Sequence, residues 1–225
     1  MPTYIKVPKN EKRKTLGNFH NRNFDNENIF IQTSDLINFY KNNELNYYPK
    51  IDKNDYNEYL KDYNIALVCG RDFGSNIIVV DIDFLHKHNN PENHDFIKFF
   101  GNDFINYFNT YTEKSQNGGI HLFFYYNNDF KESSVNLDLG IDILSNGAFC
   151  LINGSSCYNK KYEVYLNTSI KNIPDDLKDF IYYHNYPYKI NENDKINYKR
   201  KLIINNIKHY LNPKNCIYNF MPLNF

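Results

Sequence analysis

The residues of this chain that could do chemistry fall in three short apolar segments. The first is Ile77-Ile78-Val79-Val80-Asp81-Ile82-Asp83-Phe84. Side chains alternate across a strand, so Asp81 and Asp83 share one face while Ile82 takes the other. Two carboxylates at the end of an apolar strand repel each other unless a cation lies between them. Mg2+ and Mn2+ want hard oxygen ligands, and two such ions sharing carboxylates serve in-line nucleotidyl transfer. One activates the attacking hydroxyl and the other neutralises the leaving pyrophosphate. The competing account is two solvated aspartates at a strand end, because a lone Asp-x-Asp is common.

The second segment is Ser115-Gln116-Asn117-Gly118-Gly119-Ile120-His121-Leu122-Phe123-Phe124. Its glycines let backbone approach a ligand closely, and His121 is the first inward-facing polar residue of the strand that follows. Beside the carboxylates, His121 could donate to a triphosphate; a hairpin with an incidental histidine is the plainer reading. The third segment, Gly140-Ile141-Asp142-Ile143-Leu144, sets one carboxylate between isoleucines. Burying an unpaired carboxylate costs several kcal/mol, so Asp142 should have a cationic partner or stand at an open site. A third metal-coordinating carboxylate is the economical explanation, and a strand that exposes Asp142 is the alternative.

The elements that must carry these segments alternate between strand and helix. Thr33-Ser34 caps a helix over residues 35–42, and a second short helix covers 55–63. Strands are expected at 65–69 and 76–84, the latter apolar on both faces and therefore central in a sheet. Residues 95–108 form an amphipathic helix through Phe96, Phe99, Phe100, Phe104, Tyr107 and Phe108, which Gly101 weakens or splits. Residues 111–114 and 120–126 read as a hairpin about Asn117-Gly118-Gly119. Strands 139–144 and 148–152 read as another about Ser145-Asn146-Gly147. Residues 162–166 add an edge strand. After Pro174 the pattern turns helical, over 175–183 and 194–210. The fold class is α+β, or mixed α/β, with strands concentrated between 65 and 166.

At 225 residues the chain has the size of one domain with at most a small appendage. Its 41% hydrophobic content supports a core. The longest aliphatic run, 77–80, is far below the roughly 20 residues of a bilayer span. No apolar stretch of signal-peptide length opens the sequence, so an intracellular location is expected, in the cytoplasm or a replication compartment of a host cell, without membrane association. Abundant Asn, Tyr (21) and Phe (18) with no Trp match A+T-rich coding, so single Asn and Tyr residues carry little functional information. The formal charge is zero, but residues 1–24 and 189–225 each carry a net +5 around a centre of net −10. An acidic centre between basic ends suits a metal site flanked by phosphate-gripping segments. Taken alone, a solvated charge pattern is the simpler account. Cys69, Cys150, Cys157 and Cys216 lack zinc-site spacing and read as reduced thiols. His86, His88 and His94 lack a convincing fourth ligand and read as loop residues.

The order of motifs, an apolar strand ending in Asp81-x-Asp83, then Gly119-Ile120-His121 opening a strand, then Asp142 between isoleucines, resembles the archaeo-eukaryotic primase superfamily, and within it the prim-pol domain. The strand 148–153 running into Gly154-Ser155-Ser156 is similar to the family's strand before a Pro-Pro-Ser turn, with Asn-Gly in place of the prolines. Thr33-Ser34-Asp35-Leu36-Ile37 and Asn64 to Gly70 look like the family's lead-in, although a tryptophan often found there is missing. The resemblance spans about residues 30–165. It implies an RRM-like antiparallel sheet with a packed N-terminal αβ unit and a helical C-terminal appendage. Residues 1–175 would be the catalytic domain and 176–225 a basic helical extension.

The activity implied is template-directed joining of nucleotides, as a DNA primase/polymerase. Asp81, Asp83 and Asp142 would hold two Mg2+ or Mn2+ ions. His121 would contact the incoming triphosphate, with Lys114, Ser115, Gly119 and Arg71 as further nucleotide-binding positions. Partners would be single-stranded DNA template and primer, NTP or dNTP, and a separate helicase, since the chain has no GxxxxGK[ST] loop. Lys199, Arg200 and Lys201, on a basic amphipathic segment, could follow a DNA backbone or merely stand in water. Two other classes compete. A Mn2+-dependent nucleotide-sugar transferase uses a strand-end Asp-x-Asp but has no need of the later motifs, and a non-catalytic nucleic-acid-binding paralogue would retain the fold without the chemistry. A dehalogenase-type phosphatase also begins with Asp-x-Asp, but would want Thr or Val two residues beyond Asp83, where Leu85 and His86 stand.

Overall fold

A computed structural model describes residues 4–9, 60–71, 75–84, 94–136, 138–146, 148–157, 159–186 and Asn193. The helix expected at 35–42, most of that at 55–63, His86, His88 and the basic segment at 194–210 lie outside the described residues.

The strands are β1 (Tyr4–Pro8), β2 (Tyr63–Val68), β3 (Ile77–Ile82), β4 (Thr112–Lys114), β5 (Ile120–Tyr125), β6 (Ser134–Asn136), β7 (Ile141–Leu144), β8 (Phe149–Leu151), β9 (Ser156–Cys157), β10 (Lys160–Lys161) and β11 (Glu163–Leu166). The helices are α1 (Asp95–Phe100), α2 (Phe104–Phe108) and α3 (Asp175–Asn185). Six strands form one antiparallel sheet in the order β11-β4-β5-β3-β7-β6, so β3 is interior, as its two-sided apolar sequence requires. A smaller antiparallel sheet has the order β1-β2-β8, and β9 pairs with β10. The fold is mixed α+β with mostly antiparallel pairing and few helices.

Strand alternation divides the core in two. Ile78, Val80, Ile82, Leu122, Phe124, Ile141 and Ile143 point to one face of the large sheet. There they meet Phe96, Phe99, Phe104 and Phe108 of α1 and α2, and Leu177, Phe180 and Ile181 of α3. Ile77, Val79 and Phe123 point to the other face and pack on Ile65, Leu67, Cys69, Cys150 and Ile152 of the small sheet and its flanks. The large sheet is thus covered by helices on one side. On the other it is covered by a second sheet over only part of its length, and Asp81, His121 and Asp142 share that second side.

Several sequence expectations change. Gly101, at φ 80, ends α1 by donating its N–H to the Ile97 carbonyl, so the stretch 95–108 is two helices. Tyr107 is 61% exposed and not part of the buried stripe; its hydroxyl bonds the Asp176 carboxylate. His94 serves as the N-cap of α1, its Nδ1 accepting from the Phe96 N–H at 3.2 Å. The strands β7 and β8 are not a hairpin: β7 pairs with β3 and β6, while β8 joins β2 in the other sheet. The physical reason lies at Asn146. Its Oδ1 accepts the Arg71 N–H at 2.6 Å, and its backbone sits where a Cβ on Gly70 would stand, so the segment is tied to the β2–β3 connection and carries the chain across the sandwich.

Candidate active site

The site is laid out by hydrogen-bond register. The turn between β4 and β5 pairs Lys114 with Ile120, which sets Glu113 opposite His121. His121 is opposite Asp81, and Asp81 is opposite Asp142. Val164 and Val135 extend this row to the two edge strands. One line of side chains therefore crosses all six strands on a single face: Val164, Glu113, His121, Asp81, Asp142, Val135. Burial falls along it, from Glu113 at 0% and His121 at 4% through half-buried Asp81 and Asp142 to Val135 at 61%. The row is roofed at the His121 end and open at the Asp142 end.

His121 is held from several sides. Its Nε2 lies 3.4 Å from Asp81 Oδ1, and its Nδ1 lies 3.1 Å from Cys150 Sγ. The Tyr162 ring stands 5.6 Å away, centroid to centroid. Burial raises the Cys150 thiol well above its ordinary value, so the sulfur keeps its proton. The Sγ also lies 3.4 Å from the Leu151 carbonyl oxygen, so the Nδ1–Sγ contact can carry its hydrogen from either atom, while Nε2 faces Asp81. Burial likewise pushes the Tyr162 hydroxyl up, leaving it neutral.

Asp83 lies one residue past β3, half-buried, and its N–H continues the ladder to the Gly140 carbonyl at 2.8 Å. Asp142 Oδ1 accepts from the Asn136 N–H at 3.3 Å. Gly119 explains its own presence. A Cβ there would stand 2.7 Å from the Ile82 carbonyl oxygen and 2.9 Å from Ser115 Oγ, so only glycine lets the β4–β5 turn close on the acid-bearing end of β3. Ser115 is fixed in that turn, donating its N–H to the Gly119 carbonyl.

The structure thus brings Asp81, Asp142 and His121 into one row, with Asp83, Gly119 and Ser115 at the same end of β3. Other residues fall elsewhere. Lys114 pairs with Ile120, whose side chain belongs to the helix-covered core, while Glu113 takes the site face. Arg71 is tied to Asn146 at the Ile77 end of β3, away from Asp81. Lys199, Arg200 and Lys201 lie outside the described residues. Ser155 is a strut: its Oγ accepts the Ile65 N–H and donates to the Ile65 carbonyl, each at 2.9 Å.

The residue that sequence reasoning missed is Glu113. Fully buried, it accepts from the Tyr111 hydroxyl at 2.8 Å and from the Asn153 N–H at 2.9 Å. Burial pushes its carboxyl up to about 7 despite the opposing pull of His121 and these two donors. The available signal was the hairpin count: five residues between Lys114 and Ile120 set Glu113 beside His121.

The donors suit a hard divalent cation in kind. Asp81 and Asp142 are like charges directly opposite each other on a half-exposed face, an arrangement that a cation would relieve. In arrangement, no three His, Cys, Asp or Glu side chains among the described residues are gathered as a metal-holding group. The described helices include none long and apolar enough to cross a membrane.

One family's sequence model, that of the bifunctional DNA primase/polymerase N-terminal domain (Prim-Pol), matches residues 51–176, more than half of the chain. The chain belongs to the Prim-Pol family. No curated protein matches it. The Prim-Pol match takes in Asp81, Asp83, Glu113, His121 and Asp142 and every strand from β2 to β11. Membership indicates a primase/polymerase-type nucleotidyl transferase family, with DNA and nucleotides as the substrates it implies and a role in DNA replication.

Proposed function

We propose that this Prim-Pol chain is a template-directed DNA primase/polymerase that joins nucleotides on single-stranded DNA by a two-metal mechanism. The observation that carries the reading is the register that sets Asp142, Asp81 and His121 side by side on three adjacent strands. Asp81, Asp83 and Asp142 would hold the two Mg2+ or Mn2+ ions. Bound there, those ions would activate the primer hydroxyl and neutralise the departing pyrophosphate. In the joining step the 3′ hydroxyl gives up its proton to water, its oxygen bonds the α-phosphorus, and the bond to pyrophosphate breaks with its electron pair leaving on the pyrophosphate oxygen.

The protein's own groups have separate tasks. His121 keeps Asp81 in place through Nε2, and that same edge is the one available to a triphosphate arriving over Asp81. Gly119 and Ser115 bring the β4–β5 turn against the end of β3, where backbone can approach the phosphates. The helix-covered core buries one face of β3 and β7, so Asp81 and Asp142 are held in register before substrate arrives and the ordering cost is not met during the reaction. The open Asp142 side leaves room for primer and template. Lys199, Arg200 and Lys201 are proposed to grip the DNA backbone, whereas Lys114 and Arg71, which stand off the row, carry no part of this reading. An RRM-like description of the large sheet belongs to this same reading.

The test is primer synthesis and extension on single-stranded template with labelled nucleotides and Mg2+ or Mn2+. Template-dependent products are expected, and Asp81→Ala or Asp142→Ala should lower the rate by several orders of magnitude in folded protein. DNA binding without synthesis under either metal would replace the enzyme by a nucleic-acid-binding paralogue. Turnover of a nucleotide sugar would replace it by a transferase.

A further inference from the structure

Glu113 is an expensive residue that the proposed chemistry leaves without a task. A carboxylate with no exposure loses its hydration, and the two hydrogen bonds it receives offset only part of that loss. A glutamine would fill a strand position joined to Tyr111 and Asn153 at less cost. The location is what distinguishes Glu113. It is the cross-strand neighbour of His121, on the side away from Asp81, and the pull of His121 opposes the upward shift that burial gives it. The row therefore reads carboxylate, imidazole, carboxylate across β4, β5 and β3. Cys150 closes the ring's remaining nitrogen from the small sheet.

We propose that Glu113 is a positioning residue: its buried carboxylate, fixed by the Tyr111 hydroxyl and the Asn153 amide, is the counter-charge that holds His121 with Nδ1 on Cys150 and Nε2 toward Asp81. The assignment to nucleotide handling rests on the primase/polymerase reading above; the assignment to the ring does not. Glu113 touches no substrate and acts through His121. It also joins two parts of the fold, because Tyr111 precedes β4 whereas Asn153 follows β8 in the other sheet. The orientation of the histidine is thereby tied to the seating of the small sheet on the large one.

Glu113→Gln separates charge from scaffold. The amide oxygen accepts the Asn153 N–H, and the amide nitrogen donates to a Tyr111 hydroxyl turned to accept, so both links survive while the charge is lost. The first measurement uses the full chain without nucleotide: the 15N resonances of the His121 ring at a fixed pH of about 8.5, above the raised Glu113 value so that its carboxylate is ionised, assigned by loss in His121→Ala. They should move in Glu113→Gln while the melting temperature does not fall. The second measurement is the nucleotide KM with dATP and Mn2+. A rise of about tenfold or more is expected at an unchanged affinity for single-stranded DNA, and Glu113→Gln should add nothing on a His121→Ala background.

Unmoved His121 resonances in a folded Glu113→Gln protein would overturn the proposal, as would effects of the two substitutions that multiply. If the ring resonances move but the parent chain makes no product, the positioning role stands and the polymerase reading fails. If Asp81→Ala abolishes synthesis while Glu113→Gln leaves both ring and KM unaltered, Glu113 is a scaffold residue only.

Discussion

Asp142→Asn should make the protein more stable and inactive at the same time, and the size of the gain can be worked from the register. Asp81 and Asp142 are direct cross-strand partners, and the Cβ atoms of such pairs lie about 4.5–5.5 Å apart. Two unit charges about 5 Å apart repel by roughly 3 kcal/mol at an effective dielectric of 20, and by under about 1 kcal/mol in water. The Asp81 side chain is 33% exposed and His121 stands 3.4 Å from it, so solvent and the imidazole both reduce the repulsion. A net relief of roughly 1–2 kcal/mol follows, which in a chain of this size raises the melting temperature by about 2–8 °C.

Asparagine keeps the oxygen that accepts the Asn136 N–H and nearly the same volume, so the charge is the main thing changed. The assay is thermal unfolding followed by circular dichroism, in chelator and in Mn2+, beside primer extension. In chelator the variant should melt above the parent. Mn2+ should raise the parent by mass action, about 1.4 kcal/mol at tenfold Kd, and raise the variant little. Extension should be lost in the variant. A variant that melts at or below the parent in chelator, with a parent indifferent to Mn2+, would show that these carboxylates are not a repelling pair awaiting a cation.

Gly119→Ala should cost about 1–3 kcal/mol, because the new Cβ meets the Ile82 carbonyl, which cannot swing aside; incorporation should fall at least tenfold, read by primer extension beside a melting curve. Gly118→Ala is the control: it has open space but φ +87, so it should cost only about 1 kcal/mol in backbone strain and leave activity near that of the parent. Glu113 makes stability depend on pH in a stated direction. Its folded value lies near 7 against an ordinary 4.5, so the folded state binds the proton more tightly. The stability from this group is complete below about pH 4.5 and is lost as pH rises through about 7, by up to about 3 kcal/mol. Denaturant midpoints across that window should fall in the parent and flatten in Glu113→Gln. Ser155→Ala should remove about 2–3 kcal/mol by taking both hydrogen bonds from Ile65, lowering the melting temperature by about 4–12 °C while the nucleotide KM stays fixed.

What the sequence made legible follows from which signals are local. Alternation along 77–83 and 120–125 put Asp81 and His121 on definite faces, and the turn about Gly118-Gly119 fixed how their neighbours pair. These depend on residues a few positions apart. The run 145–147 looked like another hairpin turn because its composition is that of a turn, yet its outcome was decided by Asn146 meeting Gly70 and Arg71, far away in sequence. The strand β6 carries a single apolar residue, Val135, and exists because β7 offers it an edge; β1 forms on β2 in the same way. Glu113 was passed over because a charged residue in a short strand is ordinary by sequence, and only its burial makes it unusual. Tyr107 was misplaced for the converse reason: its spacing fits the apolar stripe, but its hydroxyl turns outward to Asp176.

The six-strand row has a consequence for how such a chain can change over time. Since strand side chains alternate with a period of two, adding or deleting one residue within β3, β5 or β7 would turn Asp81, His121 or Asp142 toward the helices and bring a valine, isoleucine or leucine into its place. Length variation is therefore confined to the connections, such as 126–133, where an insertion leaves the alignment of the strands untouched. Relatives that differ from this chain in length should carry their extra residues there, and a sequence with an odd insertion inside one of those three strands should be a protein that has given up the chemistry.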